Sequence, residues 1–396
     1  MSLLIVSENP FSTSSTSKQM YLLLSHLLTL NIKLKYLCID LDLKLQNKPY
    51  NYKVLPRTDK PEEHKYNNID FYTIETNTFF WKKINLIVNC HNIDKLLVYC
   101  NISDFEYYNY SKINCKKYLY FPIKNNFKTN HLIYYEEGQE NPDKKILNHL
   151  TLFDSIATPY HFGKNILDNY KYSAQIIKPL INNEIYHKKY DKLSIRKAFG
   201  IKEDSFLGLI ICKNNDIYDS KSISENIEAF GNFSINNSEA ELYIHTNMNG
   251  IINILELIKK HNLENKVYYT DIKDYEKGLS EETMCKLYCM SDVYLNCSKS
   301  EKLGLCNLES QLCDTPVITT DITCFDEINF KGIKTETIEK NKHQGVSFWC
   351  LPLINNIVNG LIQIKAKIYP SKNINQDFYD KINYYKKWEQ FLEISI

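Results

Sequence analysis

Hydrophobic residues along the chain fall into short runs that alternate with longer segments of helical periodicity. Candidate strands in the first half cover residues 3–7, 34–39, 96–100, 118–122, 155–158 and 176–181. Those in the second half cover residues 206–212, 242–245, 267–270, 293–298 and 316–320. Helix-length segments such as 223–233 and 252–260 separate them. Strands that alternate with helices are typical of βαβ units. The pattern therefore predicts an α/β protein with two doubly wound, mostly parallel sheets.

The polar stretch 182–192 is predicted to link two domains, because a chain of 396 residues exceeds one ordinary hydrophobic core. We expect the first domain over residues 1–182 and the second over residues 193–372. Residues 43–65 are polar, contain three prolines and are predicted to form a long loop. Near the end, an apolar stripe at helical spacing comprises Phe378, Ile382, Tyr385, Trp388 and Leu392. The stripe favours a helix packed on a core, and nearby lysines leave peripheral membrane contact open.

The most informative segment is residues 298–309, with the sequence SKSEKLGLCNLE. It places Glu301 and Glu309 on either side of a tight loop that contains Gly304, between a strand and a short helical pattern. In such a unit ligands bind at the carboxyl end of the strand, where N–H groups at the helix start favour anions. Carboxylates can bind the hydroxyl groups of a sugar. The alternative is that Glu301 is a solvated loop residue and Glu309 a favourable charge early in a helix.

Together with Tyr288, Ser291 and Asp292 ahead of it, this block resembles the donor-site signature of the group 1 (family 4) glycosyltransferases. The resemblance implies the GT-B fold, in which two Rossmann-like domains face each other across a cleft. It also implies a UDP- or GDP-sugar donor, retention of the anomeric configuration, and no required metal or other cofactor. Domain closure would then exclude water and align an acceptor hydroxyl with the sugar carbon.

The resemblance also assigns roles to single residues. Glu301 would contact the donor sugar as a catalytic residue, and Glu309 would bind the ribose hydroxyls. The remaining donor-binding residues of this block would be Ser300, Gly304, Leu305 and Cys306, the last three through backbone groups near the diphosphate. One departure is Lys302, which stands where relatives usually have glycine.

A second element of the same resemblance follows the candidate strand 206–212. Relatives have a basic residue just after this strand and a lysine at the next helix start, and Lys213 and Lys221 match these positions. Cations are needed there because the departing nucleoside diphosphate gains negative charge. Lys213 replaces the usual arginine and offers a point charge instead of a bidentate fork. Asn214 is the remaining predicted donor-binding residue. The alternative for Lys213 and Lys221 is that both are solvated and bind no ligand.

The first half matches the family less well. Its first loop, residues 9–17, contains no glycine, so one of its hydroxyl groups is predicted either to cap the next helix or to bind a ligand. Lys124 and Asn125 stand where relatives carry an acidic residue and glycine, and Asn182–Asn183 where they often carry Gly and Asp. This half is expected to bind a glycan, protein or lipid-linked acceptor.

In the family, a C-terminal helix, here residues 373–396, packs back on the first domain. The alternatives are a weakly catalytic sugar-nucleotide-binding module and a nucleotide-sugar hydrolase or epimerase.

Composition and local patterns bear on the expected partners, the cellular compartment and possible metal sites. A net charge of +1 gives no reason to expect a nucleic-acid partner. The start of the chain lacks the basic region of a signal peptide, and twelve cysteines are then expected as reduced thiols in the cytoplasm. Cys285 and Cys289 share a helix face, where buried thiols are favoured over a metal site. The triplet Asp40-Leu41-Asp42 would suit a metal–diphosphate site of another glycosyltransferase fold, but no neighbouring pattern supports it.

Overall fold

A computed structural model describes residues 1–10, 12, 14–38, 69–72, 80–99, 110–123, 149–301, 303–321, 327–328, 330–340 and 349–394. The predicted loop 43–65, the triplet at 40–42, Lys302 and the pair at 124–125 lie outside these residues. The chain divides into two compact units. The first unit includes Met1–Ile123, Asn130–Leu180 and Asp380–Ile396, and the second includes Ile181–Tyr379.

The first unit contains one parallel sheet with helices. Its elements are β1 (Ser2–Ser7), α1 (Ser15–Leu27), β2 (Lys33–Cys38), β3 (Asp70–Tyr72), α2 (Phe80–His91), β4 (Lys95–Tyr99), β5 (Lys116–Tyr120), β6 (Ser155–Thr158), α3 (His161–Asn169) and β7 (Ala174–Ile176). The strand order is β3-β2-β1-β4-β5-β6-β7, and every strand runs parallel to its neighbours. This is a doubly wound topology, whose order reverses between β1 and β4.

The second unit repeats this plan. Its elements are α4 (Lys192–Ala198), β8 (Phe206–Ile211), α5 (Ile223–Ile235), β9 (Ala240–His245), α6 (Ile254–Lys260), β10 (Val267–Tyr269), α7 (Ile272–Lys277), α8 (Glu281–Met290), β11 (Val293–Asn296), α9 (Leu305–Leu312), β12 (Val317–Thr320), β13 (Gly332–Thr335), β14 (Thr337–Lys340), β15 (Trp349–Pro352) and α10 (Ile354–Lys365). The parallel sheet has the order β10-β9-β8-β11-β12-β13, and β14 pairs with β15 in a separate antiparallel ribbon. The predicted fold class is therefore confirmed.

The last helix, α11 (Lys381–Phe391), belongs to the first unit. Trp388 is buried and lies 5.1 Å from the ring of Tyr120, so it extends the core beneath this sheet. Lys95 donates hydrogen bonds from Nζ to the carbonyl oxygens of residues 392 and 393. The predicted stripe is wrong at Ile382, which is 83% exposed in the first turn, and buried Tyr384 takes its place.

The strand predicted at 176–181 is also misplaced. The observed strand β7 ends at Ile176, and only the backbone N–H of Ile177 continues its pairing, to the carbonyl oxygen of Thr158. Pro179 has no N–H and cannot donate to a sheet ladder. The apolar run therefore continues as an extended segment whose side chains at Ile177 and Leu180 join the core.

Candidate functional site

The two predicted donor-site loops leave neighbouring strands. Strands β8 and β11 pair in parallel at the point where the strand order of the second sheet reverses. In doubly wound sheets ligands bind outside the carboxyl ends of the strands at this switch point. The backbone N–H of Lys299 donates to the carbonyl oxygen of Ser220 at 2.9 Å, which ties the loop after β11 to the loop after β8. This backbone bond places the next residues of both loops side by side.

Lys221 and Glu301 form an ion pair at these joined loops. The distance from Lys221 Nζ to Glu301 Oε2 is 2.7 Å, and the two side chains are 28% and 15% exposed. Burial by itself lowers the pKa of Lys221, but the charge and hydrogen bond of Glu301 outweigh it, so the pKa lies above its ordinary value of 10.5. The ammonium group is therefore a permanent positive charge at neutral pH, held in place by a carboxylate.

The starts of helices α5 and α9 differ in how their dipoles are compensated. At α5 the Asp219 carboxylate accepts from the backbone N–H groups of Ile223 at 2.7 Å and Ser224 at 2.9 Å. At α9 the N-cap residue is Gly304, in the left-handed conformation with φ of 62°, and glycine has no side chain that could cap a helix. The positive end of α9 is thus not neutralised by its N-cap residue, which favours an anion there. Leu305 and Cys306 form the first turn at this end.

Glu309 lies one turn further along α9 and is only 1% exposed. The hydroxyl group of Tyr288 donates to its Oε2 at 2.9 Å. Burial, followed by the neighbouring Cys306 and Glu309, raises the pKa of Tyr288 well above its ordinary value, so the hydroxyl group stays a donor. Tyr288 is itself packed edge-on against Tyr186 and Tyr294. The orientation of Glu309 is therefore set by a rigid aromatic cluster.

A buried amide and hydroxyl network fixes the ends of β11 and β12 against α9. Asn296 donates from Nδ2 to Asn307 Oδ1 at 2.7 Å, and Ser298 donates to Asn296 Oδ1 at 2.7 Å. The Thr319 hydroxyl group donates to the backbone oxygen of Asn296, and that of Thr320 to the backbone oxygen of Ser298. Buried, satisfied networks of this kind rigidify the segments that they join. The sequence signal was present, since polar residues end both apolar runs, but the network was not predicted.

A second feature missed from sequence is the ion pair of Lys299 with Glu225. Lys299 Nζ lies 2.8 Å from Glu225 Oε1, and the side chains are 9% and 23% exposed. Burial raises the pKa of Glu225, and Lys299 opposes this only in part. The pair joins the loop after β11 to the first turn of α5. It therefore supports the loop that carries Glu301.

The other predicted donor-binding residues occupy different environments. Asn214 donates from Nδ2 to the backbone oxygens of Asn247 and Ile252 and accepts from the Ile252 N–H, so its amide braces the loop after β9. Lys213 is exposed, and no ion pair of it is present among the described residues. Ser300 is 2% exposed, and its Oγ has no hydrogen-bond partner in the described part of the chain. Their donor contacts remain predictions.

In the first unit, the predicted cap of the serine-rich loop is Ser14. Its Oγ accepts from the backbone N–H of Ser17 at 3.0 Å at the start of α1, which confirms the capping alternative. The same hydroxyl group donates to Glu8 Oε2 at 2.5 Å. A ligand-binding role of this loop is not tested by these contacts.

The geometry of the second unit agrees with comparisons to known proteins. Residues 191–346 match the family Glycosyl transferases group 1. The matched segment is less than half of the 396 residues and contains the pair Lys221–Glu301 and Glu309. A curated relative, an O-antigen biosynthesis glycosyltransferase (WclY) of Escherichia coli, is 32% identical over 139 residues. This alignment covers 35% of the chain and 35% of that protein.

Solved structures resemble the whole chain. A glycosyltransferase from Rickettsia africae ESF-5 has a TM-score of 0.66 at 13% identity and covers 100% of this chain and 99% of its own. Anabaena HepE in complex with UDP-glucose has a TM-score of 0.63 at 9% identity and covers 99% of both chains. At such low identity the likeness shows the fold, which is that of the GT-B glycosyltransferase structures. Within the described residues, no helix has the length and apolarity needed to cross a bilayer.

Proposed function

We propose that this protein is a group 1 glycosyltransferase, of family 4 type, that moves a sugar from a UDP- or GDP-sugar to a hydroxyl group of an acceptor. The observation that carries the proposal is the Lys221–Glu301 pair beside the glycine N-cap of α9, at the switch point of the second sheet. An ammonium group, a carboxylate and a helix N-terminus suit a diphosphate joined to a sugar. The family match of residues 191–346 supports the same assignment.

The first step of the proposal concerns charge. As the bond between the sugar carbon and the diphosphate breaks, negative charge grows on the departing diphosphate. The Lys221 ammonium group and the start of α9 are placed in advance to stabilise that charge, with the more exposed Lys213 as a second cation. These groups supply the positive charge for a transfer that does not require a metal ion on the diphosphate.

The second step concerns the hydroxyl groups of the donor. Glu301 orients the sugar, and the hydrogen bond from Lys221 holds the Glu301 carboxylate in place in the loop after β11. Glu309 binds the ribose hydroxyl groups, which donate to its carboxylate, and Tyr288 fixes the position of one of its two oxygens. Ser300, whose buried Oγ has no partner among the described residues, supplies a further polar contact to the donor.

The third step concerns the acceptor. The acceptor oxygen joins the anomeric carbon with retained configuration, the nucleoside diphosphate departs, and the acceptor proton leaves with it. The Escherichia coli relative is an O-antigen biosynthesis glycosyltransferase, which supports a glycan as acceptor. The ten described cysteines are all free thiols, which supports a cytoplasmic enzyme. Lysines on α11 offer a peripheral membrane contact for a lipid-linked acceptor.

The proposal is tested first by binding. Thermal unfolding is measured with UDP, GDP and other nucleoside diphosphates, since a ligand of the folded state raises the midpoint by mass action. We expect one of the nucleoside diphosphates to stabilise the wild type, and to stabilise Lys221→Ala much less. The control is Lys259→Ala, whose lysine is exposed on α6, and it should be stabilised as the wild type is. Absence of any shift across the series would refute a nucleotide-sugar site.

Turnover then separates transfer from its alternatives. The stabilising nucleotide is supplied as its sugar conjugates with a series of glycan acceptors, and the product anomer is assigned by NMR. Transfer with retention supports the proposal. Hydrolysis of the donor without transfer would identify a hydrolase, and conversion of the donor to its epimer would identify an epimerase. Binding of the donor without any reaction would identify a sugar-nucleotide-binding module.

A further inference from the structure

Three buried thiol groups meet behind the candidate donor site. Cys285 and Cys289 lie one turn apart on α8, and Cys313 is the C-cap residue of α9. Cys285 Sγ lies 3.9 Å from Cys289 Sγ and 3.6 Å from Cys313 Sγ, and all three sulfur atoms lie within 4.8 Å of one another. The residues are 0%, 7% and 2% exposed. The pair seen in the sequence is thus one edge of a three-sulfur cluster.

The sulfur spacing fits the coordination of a thiophilic metal ion. With Zn–S bonds of about 2.3 Å, two ligands of a tetrahedral zinc ion lie about 3.8 Å apart. The Sγ–Sγ distances from Cys285 to Cys289 and to Cys313, 3.9 and 3.6 Å, bracket this edge length. They are far longer than a disulfide bond of about 2.05 Å, so the thiols are reduced and the sulfur atoms are available as ligands.

The backbone around the cluster favours a cation. Cys289 lies in the last turn of α8 and Cys313 at the end of α9, so the negative ends of two helix dipoles point to the cluster. The carbonyl oxygen of His187 adds a third dipole, 3.6 Å from Cys285 Sγ and 3.7 Å from Cys289 Sγ. These groups would destabilise uncompensated thiolates, and a divalent cation would compensate them.

Two lysine–carboxylate ion pairs lie at the rim of the cluster. Lys188 and Lys189 follow His187 in the sequence and pair with Asp314 at 2.7 Å and Glu282 at 2.8 Å. Each lysine is compensated by its own carboxylate, so these pairs add no net charge. A Zn²⁺ ion with three thiolates, which has a net charge of −1, is therefore not opposed by a net negative charge from them.

We propose that Cys285, Cys289 and Cys313 bind one thiophilic divalent cation of the Zn²⁺ type. Binding replaces the three thiol protons, so that one Zn²⁺ enters and three protons are released to solvent. The fourth coordination position is left to water or to the His187 carbonyl oxygen. The site is structural, because the cluster lies in the packed interior between two helices.

The position of the cluster gives the metal a function. Helix α8 carries Tyr288 and helix α9 carries Glu309, the pair that orients the proposed ribose contact. Cys289 follows Tyr288 directly, and Cys313 lies one turn beyond Glu309. A metal ion bonded to both helices would therefore fix their relative position, keep the hydrogen bond between Tyr288 and Glu309 formed, and stabilise the second unit.

The site is tested on the full-length, reduced protein with Co²⁺ as a spectroscopic probe and Zn²⁺ as competitor. We expect one Co²⁺ per chain, with the thiolate charge-transfer and tetrahedral d–d bands, displaced by Zn²⁺. Cys313→Ser and Cys289→Ser should weaken binding by at least about a hundredfold, since loss of even an outer-sphere partner costs about 10- to 100-fold. Cys90→Ser, which alters an exposed thiol outside the cluster, should bind as the wild type does.

A second measurement does not depend on the folding of variants. Wild-type protein is alkylated with and without Zn²⁺ under native conditions, and the modified cysteines are mapped by mass spectrometry. Protection by Zn²⁺ confined to residues 285, 289 and 313, with a raised thermal midpoint, supports the site. Stoichiometry below one, protection of other cysteines, or unaltered binding in the Cys313→Ser variant would overturn it. None of these results depends on whether the protein transfers a sugar.

Discussion

Lys221 and Glu301 lie 80 positions apart in the chain, and their side chains meet at 2.7 Å. The two loops are joined nearby by a backbone hydrogen bond from the Lys299 N–H to the carbonyl oxygen of Ser220. This bond lies one residue from Lys221 and two residues from Glu301. The backbone of the two loops thus positions the cation that we propose stabilises a departing diphosphate. Preorganised electrostatic stabilisation of this kind is usually the largest single contribution to catalysis.

Removal of the Lys221 ammonium group should slow the chemical step. We expect Lys221→Ala to lower kcat about a hundredfold, the size seen when one preorganised donor is lost. Lys221→Arg should keep part of the rate, because the charge remains while the geometry changes. Steady-state kinetics with saturating donor measure the effect, with Lys259→Ala as the surface control. Wild-type kcat in Lys221→Ala would remove this residue from the mechanism.

The pKa of Lys221 should depend on Glu301. In the wild type it lies above 10.5, so the ammonium group and the stability that it contributes are complete below pH 10.5 and are lost only as the pH rises through the folded value. In Glu301→Gln the two largest contributions that oppose burial are lost, and the pKa of Lys221 should fall. Trace acetylation of Lys221 over a pH series, quantified by mass spectrometry, should show its midpoint at lower pH in this variant. An unchanged midpoint would mean that Glu301 does not hold the charge.

Tyr288 should act through Glu309 on the ribose. We expect Tyr288→Phe to weaken binding of the preferred nucleoside diphosphate about tenfold, since a hydrogen bond to a charged group contributes about 1.5–3 kcal/mol. The 2′,3′-dideoxy analogue should lose little on the same change. Calorimetric titration of both ligands gives the comparison. Equal weakening of the two would indicate general damage to the second unit instead of loss of ribose recognition.

Lys299→Met should destabilise the second unit strongly, because it leaves the half-buried Glu225 carboxylate without its cation. We expect a loss of about 3 kcal/mol in the free energy of unfolding, and recovery of much of it when Glu225→Leu is added. Thermal unfolding of the single and double variants measures this coupling. Lys164→Met, which breaks the more exposed pair with Asp168, should cost at most about 0.5 kcal/mol. A double variant no more stable than the single one would contradict the ion-pair explanation.

Sequence patterning predicted most of the framework, and the reason is visible in the strands. Central strands such as β1 and β8 are buried on both faces, so their apolar runs are continuous and bounded by polar residues. The strands that were missed, β3, β13, β14 and β15, have only three or four residues each, and the first three include charged residues. Runs this short have no periodicity that distinguishes them from loops.

Within the candidate site, sequence could locate the loops but not all the contacts. The motif placed Glu301 in the loop after one strand and Lys221 at the helix start after another, and pairing of β8 with β11 then brought the two loops together. The partners of Lys299 and Cys285 could not be found, because Glu225 and Cys313 come from other elements and no local spacing marks them. Asn214 was predicted to bind the donor because it follows Lys213 in the sequence. Its amide instead makes hydrogen bonds that brace the loop after β9, and its position in the sequence did not indicate this.

The burial of Trp388 and Phe391 in the sheet of the first unit has a consequence for biosynthesis. The ribosome makes the first 180 residues early, yet the hydrophobic layer that they form is completed only by side chains translated after the second unit. The long segment Ile181–Tyr379 of the second unit contains all of its described strands and helices, so this unit does not depend on residues translated after Tyr379. Contrary to the usual order for multidomain chains, the later-made half should reach its native state first, while the earlier half needs protection from aggregation until α11 has been translated.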